Sequence, residues 1–289
     1  MINYLDFNNN FKKDMYDCFS SNVGDFYKQL SYEEFCSNLF NHYEFDEKGV
    51  FLAVCNNKVI GFICSFVRHV EKDNEEKPGY VSTFIVDKNY RHQGIGKTLL
   101  SKAENYIKSC GKNKICFGYT CTLNWPWYIP NTNKHDHAGA PGACVNSDLY
   151  FFLLNNGYNV IDEEDAFHLD LDKFIMPKRV LDDLEKCSKE GISITLYNKE
   201  VHTGIEEFYE DIKDEAFERV IRYNLSLDEP KPFAVVVKDN KVYGWTGAFY
   251  TEPSGRAHFD GIAISTTIRG RGLGQGLWCS LGKYSKEHG

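Results

Sequence analysis

The chain has 289 residues, 42% hydrophobic and 26% charged, an ordinary soluble globular mixture and long enough for two cores rather than one. Its formal charge of −8 argues against a nucleic-acid partner, for which a basic face is the expected footprint, and mildly favours cationic partners such as amines. No run approaches about 18 apolar residues, so no membrane span is expected, and the opening MINYLDFNNNF lacks the basic-then-apolar pattern of a signal peptide. The 10 cysteines are scattered with no C-x-x-C pair, which reads as reduced thiols in a cytoplasm.

In chain order, INYLDF reads as an edge strand, followed by helical stretches near 11–20 and 31–42, the second opened by a capping box of Ser31 and Glu34. VFLAVC, the turn Asn56-Asn57-Lys58 and VIGFICSFV read as a hairpin. GYVSTFIV is a strand that runs into the turn YRHQGIGKTLL, after which Leu99, Ala103, Tyr106, Ile107 and Cys110 recur at helical spacing. KICFGYT is a strand, SDLYFFLLNNGY a buried helix stopped by Gly157, and 158–171 a strand pair. Residues 175–190 are a linker helix.

The pattern then restarts. ISITLY is a strand, 200–226 holds two helical stretches, PFAVVVKDNKVYGWTGAFY is a hairpin, and RAHFDGIAI is a strand entering the turn IRGRGLGQGLW. A helix with Leu273, Leu277, Leu281 and Tyr284 in line follows. N-K-V-x-G occurs at Asn57–Gly61 and again at Asn240–Gly244. Such self-similarity means one domain present twice.

Each R-x-x-G-x-G turn lies between a strand and a helix N-terminus, where unpaired N–H groups and the helix dipole favour an anion and glycines let it approach. Arg91 and Lys97 in the first copy, Arg269 and Arg271 in the second, add charge-assisted contacts. A Walker A loop is excluded because Arg91 stands where its first glycine must be. A Rossmann fingerprint is excluded because Leu99 and Leu277 occupy its third-glycine position.

The element order and the stretches FIVDKNYRHQGIGKTLL and GIAISTTIRGRGLGQGLW resemble the GNAT superfamily of acyl-CoA-dependent N-acyltransferases. The resemblance implies an α/β fold, an α+β-type mixed sheet flanked by helices, in two tandem GNAT-type domains. The expected organisation is a first domain over 1–174, a linker helix over 175–191 and an incomplete second domain over 192–289.

It also implies a site that holds the pyrophosphate of acetyl-CoA, the co-substrate. In the first copy that site is Phe84, Ile85 and Val86, then Arg91, His92, Gln93, Gly94, Ile95, Gly96 and Lys97, with Asn124 facing the CoA arm. In the second it is Gly261, Ile262, Ala263 and Ile264, then Arg269, Gly270, Arg271, Gly272, Leu273, Gly274 and Gln275.

The implied chemistry is direct attack of an amine on the thioester, with a base for the amine and a tyrosine returning a proton to sulfur. The family tyrosine position, four before Gly157, is Leu153; Tyr150 is the substitute if the helix is displaced, and otherwise a packed aromatic. Ser82 and Thr83 stand where an acid is expected before the first turn, whereas the second copy has Asp260 beside His258, as a base or as an exposed sheet residue.

The long segment from Trp125 to Asn146 reads as a lid, with His135, Asp136 or His137 contacting substrate or relaying a proton. Adjacent residues of an extended segment point opposite ways, so no metal is expected there. The second copy stops after its turn helix, which reads as a fragment of a longer protein or a sheet completed by another chain. The expected function is an acetyl-CoA-dependent N-acetyltransferase for a small-molecule primary amine, a monomer or homodimer without nucleic-acid or membrane partners. The alternatives are a non-catalytic CoA-binding module and a transferase for a protein N-terminus or an amino-sugar thiol conjugate.

Overall fold

The computed structural model describes residues 1–24, 27–117, 125–128, 136–137, 142–163, 169–253 and 255–288. The chain divides into two compact units, Met1–Ala166 and Phe167–Gly289.

In the first unit β1 (Ile2–Asp6), β2 (Val50–Cys55), β3 (Lys58–Phe66) and β4 (Gly79–Val86) form an antiparallel meander, and β5 (Ile115–Cys116) joins β4 in parallel. Helices α1 (Lys12–Asn22) and α2 (Tyr32–Asn38) cover one face and α3 (Ile95–Ser109) the other. Side chains alternate across a strand, so neighbours on β3 part company: Phe62 packs with Phe19, Phe35 and Leu52, while Ile63 packs with Leu99, Ala103 and Ile107. Two covered faces explain why β3 reads as a near-continuous apolar run rather than an alternating one.

The predicted capping box is present: Glu34 N–H donates to Ser31 Oγ at 3.1 Å and Ser31 N–H to Glu34 Oε2 at 2.8 Å. The helix it opens is shorter than expected from the sequence, ending at Asn38, because Phe40 and Asn41 both donate to the Cys36 carbonyl and the chain turns toward β2. A small trio follows, β6 (Trp127–Tyr128) antiparallel to β7 (Asp136–His137), then α4 (Asp148–Asn155). The strand pair expected over 158–171 does not form among the described residues. Val160 and Ile161 are exposed.

The second unit opens with α5 (Lys178–Lys189), which starts late because Pro177 takes the N-cap position, and α5 packs on β8 (Ile192–Leu196). Then come α6 (Ile205–Ile212), α7 (Glu215–Leu225), β9 (Phe233–Lys238), β10 (Lys241–Gly247), β11 (Ile262–Ile264) and α8 (Leu273–His288). The sheet order β11-β10-β9-β8 repeats the order of the first meander, β4-β3-β2-β1. The expected strand RAHFDGIAI is reduced to its last three residues. Gly261 at φ +143° breaks it, in a conformation that a side chain would obstruct against the Phe217 ring.

One tight approach sets the geometry of β2. A Cβ on buried Gly49 would fall on the Ser65 carbonyl oxygen, and the Ser65 hydroxyl already donates to the Gly49 carbonyl at 2.7 Å. Gly49→Ala is therefore expected to cost about 3 kcal/mol of stability, read as a lowered urea midpoint at unchanged slope.

Candidate functional site

The site is built where β4 loses its neighbour. β4 pairs with β5 only at Gly79↔Ile115 and Tyr80↔Cys116. Beyond Tyr80 that edge of the strand has no ladder partner among the described residues. On the other side Thr83 pairs with Cys64 and Val81 with Ser65, which makes Ser82 a bulge that bends the strand at this point.

After β4 the chain turns through Asp87–Tyr90, and Arg91 staples the turn by donating from Nε to the Val86 carbonyl at 3.1 Å. His92 and Gly94 take left-handed angles, φ +60° and +81°. Gly94 is the N-cap of α3 and offers no side-chain cap, so the N–H groups of Ile95, Gly96 and Lys97 have no partner from the helix itself.

A cavity of about 510 Å³ joins these features. Phe84, Ile85, Val86, Arg91, His92, Gly94, Gly96 and Lys97 all line it. Gln93 and Ile95 do not: Gln93 is exposed and Ile95 is buried in the core beside Leu99. Asn124 and His135 lie outside the described residues, and Asp136 and His137 are described only as backbone in β7.

From α4 the cavity takes Ser147, Asp148, Leu149 and Phe152, with Asp148 Oδ2 2.8 Å from Arg91 Nη1. Tyr150 does not line it; its N–H donates to Ser147 Oγ at 3.2 Å and its ring lies edge-on to Phe151. Among the described residues the lining phenol is Tyr27, between α1 and α2, a residue that no period or motif marks in the sequence. Trp125 closes the same end and donates from Nε1 to Thr83 Oγ1 at 2.9 Å.

Burial first, and then Cys144, push the Tyr27 phenol up to about 12. The folded value lies above the ordinary value of about 10, so the stability Tyr27 contributes is complete below pH 10 and is lost as pH rises from about 10 to 12. Tyr27→Phe should flatten that fall by about 2–3 kcal/mol, measured by urea unfolding across the window.

The second turn repeats the backbone. Gly270 and Gly272 have φ +79° and +76°, and Arg269 Nε donates to the Ile264 carbonyl at 2.9 Å, the counterpart of Arg91 and Val86. Its surroundings differ. Arg271 is paired with Glu190, and the Asp183 carboxylate lies 2.9 Å from where a Cβ on Gly272 would sit. Ile262, Ala263 and Ile264 form β11, Leu273 is buried, Gln275 is exposed and Gly274 faces open space.

Asp260 is fully engaged: Oδ1 meets His258 Nε2 at 2.7 Å and Oδ2 accepts from Ala248 N–H at 2.9 Å. His258 Nδ1 in turn meets Glu252 Oε1 at 2.9 Å, Glu252 is paired with Arg256, and Tyr250 stacks on the imidazole at 4.2 Å. His258 and Arg256 hold the Glu252 carboxyl below its usual range although burial opposes them. No group of metal-ligating side chains occurs among the described residues, and no described helix is long and apolar enough to cross a membrane.

The family model for the acetyltransferase (GNAT) family matches residues 12–124 and 198–289, well over half of the chain. The chain belongs to the GNAT acetyltransferase family. It carries two GNAT regions in tandem, each containing one of the turns described above. An uncharacterized N-acetyltransferase of Methanocaldococcus jannaschii is 33% identical over 70 residues, which is 23% of this GNAT chain and 30% of that protein. Among solved structures, a GCN5-related glucosamine N-acetyltransferase region in a fungal multi-domain GH3 β-N-acetylglucosaminidase has the same fold, with a TM-score of 0.62 at 15% identity. That likeness covers 100% of this chain and 34% of the fungal one. The GNAT chain thus spans about a third of the length of the relatives it matches.

GNAT acetyltransferases draw their acetyl group from acetyl-CoA, and the first unit has groups of the right chemistry for it. The uncapped head of α3 with Arg91, His92 and Lys97 suits phosphate, and the unpaired edge of β4 suits an amide-bearing arm.

Proposed function

We propose that this protein is an acetyl-CoA-dependent N-acetyltransferase for a small-molecule primary amine and that its chemistry belongs to the first unit. The pyrophosphate is held by the N–H groups following Gly94 with Arg91, His92 and Lys97, and the pantetheine arm runs along Phe84–Val86. The amine attacks the thioester carbonyl directly, and Tyr27, protonated at neutral pH because it is buried, returns a proton to the leaving sulfur. Tyr150 is assigned to packing. No disulfide forms among the described cysteines, which suits a reducing, cytoplasmic setting.

The observation that carries this reading is the single cavity joining an uncapped, cationic glycine turn to a free strand edge and a buried phenol. In the second unit the Asp183 carboxylate, paired with Lys186, takes the space beside Gly272 and Glu190 holds Arg271, so that copy is assigned a supporting role. Asp260, with both oxygens occupied, is assigned to bracing its hairpin rather than to proton abstraction.

The test is acetyl-CoA turnover against a panel of amines, followed by release of free CoA. Turnover is expected, and Tyr27→Phe should lower kcat by about 100-fold or more with little change in KM for acetyl-CoA. A protein that binds acetyl-CoA yet releases no CoA with any amine would instead be a CoA-binding module.

A further inference from the structure

The two units differ just past their first strands. Phe7 follows β1 and its N–H donates to the Val50 carbonyl at 3.2 Å; Tyr197 follows β8 and donates to the Phe233 carbonyl at 2.9 Å, so the two residues are equivalent. In the first unit the connection over 39–49 brings Phe40 and Phe45 onto Phe7, with ring centroids at 5.4 and 5.7 Å. The corresponding connection of the second unit, 226–232, is shorter and carries no aromatic residue. Beside Tyr197 there is instead a cavity of about 660 Å³, a size that suits a small organic ligand.

The walls of this cavity are mostly apolar and braced. Tyr197 stacks on buried Phe233 at 4.8 Å and 14°, and Leu196, Val201 and Leu225 add aliphatic surface. Pro230 and Pro232 bracket Lys231 and fix its neighbours' backbone. Buried Asn224 holds the same loop from α7, donating to the Lys231 carbonyl at 2.8 Å and accepting from its N–H at 3.0 Å.

The polar groups here are donors. His202 Nδ1 accepts from the Asn198 N–H at 3.0 Å, which places the imidazole proton on Nε2. Burial holds His202 below its ordinary value, in keeping with a neutral ring. Lys199 and Lys231 line the same cavity, and neither is in an ion pair among the described residues. Glu200, Asp228 and Glu229 on the flanking chain are exposed and are not among its described lining residues.

A ligand that satisfies these groups has a flat apolar body and one negative charge. The body packs on the Tyr197 ring and the prolines, where an aromatic ring gains over a saturated one. A carboxylate accepts charge-assisted bonds from two ammonium groups and the imidazole N–H, whereas a cationic ligand meets two like charges. We propose that the second unit binds a small aromatic carboxylate in this cavity, with its ring against Tyr197 and its carboxylate held by His202, Lys199 and Lys231. This site is independent of the acetyl-transfer reading above.

The test titrates the full chain with 1-naphthylacetate by calorimetry, alongside 1-naphthylmethylamine and cyclohexylacetate. One site is expected for 1-naphthylacetate, with the amine at least about tenfold weaker and cyclohexylacetate at least about threefold weaker. The double variant Lys199→Glu, Lys231→Glu should weaken 1-naphthylacetate at least about tenfold by repulsion. Val201→Phe, which supplies a ring to the cavity as Phe40 does in the first unit, should weaken it at least about tenfold by filling. All three positions are exposed, so both variants should keep the parent's circular dichroism and thermal midpoint. Absence of 1-naphthylacetate binding, equal binding of the amine or of cyclohexylacetate, or full-strength binding to either folded variant would overturn the inference.

Discussion

Gly94→Glu is expected to weaken acetyl-CoA binding at least about 100-fold and to remove the single site expected in calorimetry. Two effects combine. Gly94 sits at φ +81°, where a side chain costs about 1–2 kcal/mol, and a Cβ there meets nothing within 4 Å, so the new carboxylate is free to settle over the head of α3. There it accepts from the N–H groups a phosphate needs and repels the phosphate itself. Two charge-assisted bonds lost at about 1.5–3 kcal/mol each correspond to the predicted factor or more. Gly94→Ala separates the terms, since it should lower stability by about 1 kcal/mol while retaining most of the affinity. Gly274→Glu at the second turn, also in open space, should leave the stoichiometry unchanged. Retention of one full site in Gly94→Glu and its loss in Gly274→Glu would move the chemistry to the second unit.

The second large effect is on stability. Trp125→Ala should destabilise the protein by about 3–5 kcal/mol, a large share of a typical total of about 5–15 kcal/mol. Trp125 is 6% exposed and holds Phe19 and Phe35 together from one side while walling the cavity from the other. Trp125→Phe keeps an aromatic ring but removes the indole donor, leaving the buried Thr83 hydroxyl with its 3.4 Å contact to Ser82 Oγ, at a cost of about 1–3 kcal/mol. Thr83→Val in the Trp125→Phe background should recover part of that cost, because both partners are then apolar. Denaturant midpoints across the four proteins measure the coupling. A cost below about 1 kcal/mol for Trp125→Ala would mean that this residue is no part of the core.

The difference between the two turns has a simple origin in charge. Both copies share the left-handed residues and the Arg-to-carbonyl staple, so the backbone of the motif is equivalent in both. In the first, Arg91 pairs with Asp148 but His92 and Lys97 remain at the cavity; in the second, Arg271 is paired with Glu190 and Asp183 lies against Gly272. A duplicated loop therefore does not imply a duplicated ligand. The side chains around it decide whether a phosphate is welcome.

What this sequence determines alone is whatever a few adjacent residues settle through their own dihedrals and hydrogen bonds. Ser31 and Glu34 make their capping box, Asn56 and Asn57 take the positive φ of a hairpin turn, and the R-x-x-G-x-G turns adopt the same left-handed pattern twice. Helical spacing also locates α3 and α8, because each must bury one face, and apolar runs on either side of a turn locate β2 and β3. The site is a different matter. Tyr27 and Cys144 are brought to one cavity by chain that carries no period, and Thr83 finds Trp125 across 42 positions. Asp183 reaches Gly272 only because α5 packs on β8 and α8. Such contacts depend on how whole elements stack, and stacking is set by the summed burial of many side chains. Local propensity contains no trace of it, which is why the glycine turn was legible in the sequence and the Tyr27 and Trp125 walls of the cavity were not.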